Sequence, residues 1–426
     1  MIDPALIEPI TKAVDAAFKA EIDDIAALVR YPSTRGAEQT AQDEMARQMR
    51  ARGLDVDRFA VDVDAIAHLP GFSPVRVSYE NAINVVGAHR APGGGRSLIL
   101  NGHIDVVPIG NPARWTTPAF EPRREGNWLY GRGAGDMKAG LVACLYAYDA
   151  VRAAGFAPQG DIFVQSVVEE ECTGNGALAC LARGYRADCA IVPEPFGPCL
   201  MRAQTGPVWF TVTVEGAPEH ASGFQTTNAN AIEKAMAIWN GLKALEADWN
   251  ARAKDHDAFH DHPHPIRFNL GVIRGGEWAS SAPSSCTFEA RCAVLPGWDL
   301  AAARAQIRAA IAGICRDDPF LSNTPATVDF HGFMAEGYTL PRGTEQEATL
   351  AAAHEAIVGS ALTEHVTPAA TDARFFGLYQ DTPALVYGPV CENAHGYDER
   401  VDLDSVRTVT KTLALFIAGW CGVAPN

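Results

Sequence analysis

The chain has 426 residues, 47% hydrophobic and 20% charged, the balance of a folded protein with a sizeable core and enough length for two domains. Its 35 basic and 51 acidic residues leave a net charge of −16, which argues against nucleic acid or an anionic membrane as the main partner, since both need a basic footprint. The start is acidic and amphipathic, unlike a signal peptide, and no apolar run reaches the ~18 residues of a spanning helix, so a soluble cytoplasmic protein is expected.

Ile10, Val14, Phe18, Ile22 and Ile25 recur at helical spacing, and residues 1–53 read as two helices around the break Tyr31-Pro32-Ser33. Strand-like runs follow at Ala82–Ala88, Ser97–Gly102, Asp161–Val168 and Asp188–Val192, with helical stretches between them at Lys138–Ala154 and Gly176–Ala182. That alternation predicts an α/β fold, a mostly parallel sheet with helices on both faces, whose ligands sit beyond the carboxyl ends of the strands. From about Gly206 the rhythm changes. Strands at Val208–Val214, Ile266–Ile273, Ser285–Val294 and Ala326–Phe330 enclose helices at Asn228–Trp249 and Leu300–Cys315. The order βαββαβ predicts an inserted α+β domain over 206–335, with 1–205 and 336–426 forming one discontinuous domain. A helix at Glu345–Val358, a short strand at Pro383–Tyr387 and a closing helix at Ser405–Trp420 complete the chain.

The ten cysteines form no Cys-x-x-Cys pair, and several sit inside apolar runs such as Leu141–Tyr146. They read as buried thiols of a reducing compartment, not as a disulfide frame or a thiolate zinc site.

Polar residues interrupt these strands at their ends. His103 and Asp105, two apart, leave an extended backbone on the same face. A glycine-rich turn (Gly131, Gly133, Gly135) presents Asp136. Glu169, Glu170 and Glu171 close the run Asp161–Val168, and three adjacent carboxylates are costly to bury without a cation. Glu194 stands between two stiffening prolines, and His395 follows the last short strand. Alone, each has an ordinary explanation: a core hydrogen bond, a solvated helix start, a loop histidine. The glycines of Gly174-x-Gly176-x-x-Ala179 mimic a dinucleotide fingerprint, but the anionic glutamates before them make a poor neighbour for a pyrophosphate. Together, His103, Asp136, Glu171, Glu194 and His395 suit two metals bridged by one carboxylate, with a water shared between them. Such N/O ligation suits zinc, cobalt or manganese. Glu170 is then the natural general base and proton donor, and Asp105 the group that orients His103 through its other ring nitrogen.

The ordered set GHIDVVP (102–108), GRGAGDMKAG (131–140), EEECTGNGA (169–177), PEP (193–195) and AHGYDERV (394–401) resembles the M20 metallopeptidase/deacylase family of acetylornithine deacetylase, succinyl-diaminopimelate desuccinylase, aminoacylase-1 and carboxypeptidase G2. The resemblance implies that Asp136 bridges two zinc or cobalt ions, with His103 and Glu194 on one and Glu171 and His395 on the other. It gives the inserted domain the role of lid and homodimer interface. His220, in PEHASG, would reach the partner's site and hold a developing oxyanion, and Arg291, in FEARCAV, would clamp a substrate carboxylate. Asn269 is a further substrate-site candidate. Two features depart from the family pattern: Glu169, where many members carry Asp, and Ala369-Ala370, where glycines often precede Thr371-Asp372. The histidines 256, 260, 262 and 264 read as an exposed loop. The expected activity is removal of an N-acyl group from a small amine or amino acid. Alternatives are an N-formyl-aminopyrimidine deformylase, a dipeptidase or carboxypeptidase, and, outside the hydrolases, an inactive ligand-binding protein.

Overall fold

Six strands form the central sheet of the computed structural model, which describes residues 2–222 and 229–426. Side by side they run Asp55–Ala60, Ile83–His89, Ile162–Val167, Leu98–His103, Cys189–Val192 and Ala384–Val386. The last four are mutually parallel; Ile83–His89 runs antiparallel to its neighbours on both sides. The expected mostly parallel sheet is therefore present, with an antiparallel edge. Its three central parallel strands, Ile162–Val167, Leu98–His103 and Cys189–Val192, are buried along their whole length, as strands covered on both faces must be.

Helices Pro4–Val29, Ala139–Ala153 and Leu403–Cys421 pack against one another as one covering layer. Asp3 starts the first by accepting the Ala5 N–H at 2.9 Å, ahead of a proline at its first position. The stripe Ile10, Val14, Phe18, Ile22 and Ile25 is buried as its spacing demands, each side chain contributing ~1.5–3 kcal/mol of apolar burial.

A second unit has its own apolar core, including Phe210, Trp249, Phe288 and Ile307. Its antiparallel sheet runs Asn269–Gly275, Ser285–Val294, Gly206–Glu215, Thr327–Met334, with helices Ala231–Arg252 and Leu300–Asp317 packed together. Strand Leu200–Gln204 leads into it and Tyr338–Thr339 leads back, and the two pair antiparallel where the chain leaves and returns. The first helix starts at Ala231, where the Asn230 side chain accepts the Ile232 and Glu233 N–H groups; the expected start, Asn228, lies outside the described residues. The expected strand Ile266–Ile273 begins only at Asn269, because the Asn250 side chain takes both backbone groups of Ile266.

Four strands of two or three residues (Arg123–Glu125, Trp128–Tyr130, Cys391–Glu392, Arg400–Asp402) make a small sheet absent from the sequence reading. It sets the glycine turn before Asp136 beside the loop that carries His395. Gly135 is needed there, since a Cβ would collide with Cys391. All ten cysteines are unpaired and seven are buried, as expected. Among the described residues, no helix is long and apolar enough to cross a membrane.

Candidate metal centre

His103 ends its strand fully buried, with Nε2 3.2 Å from Asp136 Oδ1, 3.7 Å from Glu194 Oε1 and 3.9 Å from Glu170 Oε2. His395 comes from the opposite wall, its Nε2 3.2 Å from Asp136 Oδ2 and 3.1 Å from Glu171 Oε1. Asp136 thus presents one oxygen to each imidazole. Ligand atoms of His103, Asp136 and Glu171, and again of His103, Glu170 and Glu194, lie within 4.8 Å of one another, which is metal-site spacing. The structure therefore brings together all five residues read as ligands, with Glu170 beside them. None of these carboxylates is paired with Lys or Arg among the described residues.

The electrostatics fit a divalent cation. Burial pushes Glu170 and Glu194 well above the usual carboxylate range, against the pull of His103. Burial also opposes charge on both imidazoles and on Asp136, yet their mutual hydrogen bonds prevail. They hold Asp136 low and raise His103 and His395, the latter to about 11. The cluster draws protons to offset its negative charge, and divalent metal ions would offset it in their place.

Asp105 acts differently from the sequence expectation. His103 Nδ1 donates to the Asp105 backbone carbonyl at 2.9 Å, while the carboxylate stands 3.7 Å away. That carboxylate instead accepts the N–H groups of Glu170 (3.3 Å) and Glu171 (3.1 Å), anchoring the glutamate turn. Asp105 still orients the ring, through its main chain.

Sequence reasoning missed the support under Asp136. Buried Glu399 accepts the Gly135 and Asp136 N–H groups at 3.0 and 3.1 Å and pairs with Arg132 at 2.6 Å. Arg132 also donates to the Gly396 carbonyl, next to His395, at 3.1 Å. Both residues stand in the quoted motifs, but nothing in their type or spacing separated them from surface charges. His395 itself sits at φ 61°, a left-handed backbone uncommon for a side-chain-bearing residue.

The centre opens into a cleft of about 830 Å³ between the two units. Ile109, Phe196, Trp209 and Phe333 give it apolar walls, and Arg291 enters from the second unit's sheet. The Arg291 guanidinium has no ion-pair or hydrogen-bond partner among the described residues, and burial pulls its pKa down. Asn269 lies opposite Arg291 on the neighbouring strand, is exposed, and lines an adjoining hollow of about 140 Å³ that shares Trp209 and Arg291 with the cleft. His220 is exposed, bonded to Ser222 and bridged to Ser281, and does not line the cleft of its own chain. The four loop histidines make local contacts, His256 to Pro296 and His264 to Glu246, and no three-donor metal cluster forms there among the described residues.

Fold and centre together define the class, an α/β metallohydrolase with a second sheet over its cleft. The chain belongs to peptidase family M20/M25/M40, whose family model matches residues 99–419. As a member it is a metal-dependent hydrolase of amide bonds that uses divalent metal. It is 29% identical over 345 residues to the N-formyl-4-amino-5-aminomethyl-2-methylpyrimidine deformylase of Halalkalibacterium halodurans, covering 76% of this chain and 79% of that one. Among solved structures it is similar to the dipeptidase Dug1p of Saccharomyces cerevisiae, with TM-score 0.81 and 15% identity over 99% of both chains. Human carnosine dipeptidase 1 is similar at TM-score 0.79 and 13% identity, over 98% of this chain and 100% of that one.

Proposed function

We propose that the protein is a two-metal amidohydrolase that removes an N-acyl group from a small amine or amino acid. One observation carries this reading: Asp136 offers its two oxygens to His103 and His395, each 3.2 Å away, with Glu194 beside the first imidazole and Glu171 beside the second. His103 and Glu194 would hold one zinc or cobalt ion, Glu171 and His395 the other, with Asp136 between them. When bound, such a pair supplies Lewis acidity to the amide oxygen and brings the pKa of a shared water to about 7.

The chain's own groups do the rest. Glu170 receives the proton of the attacking water and returns it to the leaving nitrogen, and burial raises its proton affinity, which suits it to carry the proton between the two steps. Arg291 offers a guanidinium to a substrate carboxylate. His220 would serve a partner's site, which makes the protein a homodimer through 206–335, the lid, with 1–205 and 336–426 as the catalytic domain. Unpaired cysteines suit a cytoplasmic location.

A second reading is favoured by the 29% identical relative: a deformylase of an aminopyrimidine, for which the Phe196, Trp209 and Phe333 walls would hold a flat ring. Metal-stripped protein, given back zinc or cobalt, is to be tested on N-acetyl, N-succinyl and N-formyl amino acids, dipeptides and a formylaminopyrimidine. Metal-dependent turnover of an N-acyl amine or amino acid supports the first reading, and turnover of the formylpyrimidine alone supports the second. Dipeptide cleavage alone overturns both. Silence with metals bound points to a binding protein.

A further inference from the structure

Three chemically identical glutamates stand in a row at positions 169–171, so residue type does not decide which of them enter the metal centre. We propose that Arg35 and Tyr79 decide it, by seizing Glu169 and so aiming Glu170 and Glu171 into the cleft. Arg35, Tyr79 and Glu169 are then positioning residues, and the inference rests on the reading of Glu170 as the proton carrier.

Glu169 has φ 70°, in the left-handed region that side-chain-bearing residues rarely adopt. Its carbonyl receives three N–H groups in succession, from Cys172 (3.3 Å), Thr173 (2.9 Å) and Gly174 (2.7 Å), so the whole turn hinges on this residue. Its side chain, 3% exposed, joins neither cluster of candidate metal-ligating donors and is gripped from several sides. Arg35 donates to both oxygens, Nε at 2.5 Å and Nη2 at 2.6 Å. The Tyr79 hydroxyl donates at 2.5 Å and Thr173 Oγ1 at 3.0 Å, while Asn175 holds the Tyr79 oxygen at 3.1 Å. A bidentate guanidinium fixes direction as well as distance. Strained backbone of this kind persists where surrounding contacts over-determine it. With Glu169 gripped, the next two residues leave the turn toward the cleft, where Asp105 takes their N–H groups. Arg35 also lines the cleft, so substrate binding is the rival role for it.

The test uses Arg35→Ala, Arg35→Lys, Tyr79→Phe and the double variant Arg35→Ala/Glu169→Gly. Arg35→Ala leaves a strained, buried carboxylate without its cation, held only by the Tyr79 and Thr173 hydroxyls. Its kcat is expected to fall about 10–100-fold with KM within about threefold, the pattern of a misplaced catalytic group. Glycine at 169 accepts a positive φ and removes the orphaned carboxylate, so the double variant should recover about tenfold of that loss. Arg35→Lys keeps the charge without the fork and should lose most of the same kcat; it serves if Arg35→Ala does not fold. Tyr79→Phe, which removes one donor, should cost about two- to fivefold.

Zinc titration of the metal-free variants gives a readout independent of turnover. Misaimed Glu171 should weaken one of two bound metals about tenfold or more. A merely structural role would lower the melting temperature and leave the kcat of folded protein unchanged. An effect on KM alone, unchanged kcat, or a double variant no better than Arg35→Ala each overturns the clasp. If wild-type protein binds metal but turns over no substrate, the Glu170 reading fails, and the zinc titration alone decides the clasp.

Discussion

Replacing Glu399 by Gln is expected to damage the metal centre without touching a ligand. Glu399 and Arg132 form a pair with side chains 1% and 2% exposed, and the other Glu399 oxygen holds the Gly135 and Asp136 N–H groups. Burial pushes Glu399 up, Asp136 adds to that, and Arg132 pulls it partly back, so the intact pair adds little net stability. The variant is another matter. An amide has one acceptor oxygen for both sets of donors, and it leaves the buried guanidinium without a negative partner. Orphaning one member of such a pair costs ~3–5 kcal/mol, a large share of the ~5–15 kcal/mol that holds most domains. Groups that orient metal ligands are worth about 10–100-fold in metal affinity. Urea unfolding of metal-free protein and zinc titration against a chromophoric chelator measure the two effects separately. Removing both charges, as Arg132→Leu/Glu399→Leu, should restore much of the stability. Metal affinity should stay low there, because the Asp136 N–H still lacks its acceptor. Glu399→Gln protein that binds zinc as tightly as wild type would refute the reasoning.

Glu170→Gln is expected to abolish turnover while metal content stays near wild type; retained turnover removes Glu170 as proton carrier. Mixing that variant with His220→Ala should regenerate working sites in heterodimers if the histidine acts across subunits, and no activity should return if it does not. Arg291→Ala should raise KM for an N-acyl amino acid about 10–100-fold, the worth of a charged hydrogen-bonded pair, and barely affect a formylpyrimidine. A steady-state comparison of the two substrates reads this directly. Glu21, wholly buried under the closing helix, has its carboxyl pushed up from 4.5 to about 8 by burial, despite the hydrogen bond from Thr410. Between those values the native state keeps a proton that the unfolded state releases, so this contribution to stability is full below about 4.5 and lost as pH rises toward about 8. Glu21→Gln should therefore match wild type in urea near about pH 5 and exceed it near about pH 9; a pH-independent difference contradicts the assignment.

Most of the candidate ligands were legible in the sequence because they break a local rule. His103 interrupts an apolar run, Glu194 is stiffened by prolines, and the glutamate triplet ends a strand buried on both faces. His395 breaks no rule and became a candidate only through the others. Arg132 and Glu399 were hidden because a buried ion pair, read one residue at a time, looks like surface charge; their 267-residue separation leaves no periodic trace. Arg35 was hidden for the same reason, 134 residues from Glu169. The small sheet that sets Asp136 beside His395 escaped because strands of two or three residues carry no measurable alternation. Asp55–Ala60 escaped because an edge strand with polar residues on its open side resembles a loop.

The central claim is a pair of metals sharing Asp136, and metal stoichiometry tests it most directly. Metal-free protein titrated with zinc or cobalt should bind two ions per chain with high affinity. Asp136→Ala, which removes an oxygen from both positions at once, should weaken both ions together. A single ion per chain in the wild type, or two ions held undiminished by Asp136→Ala, would contradict the account.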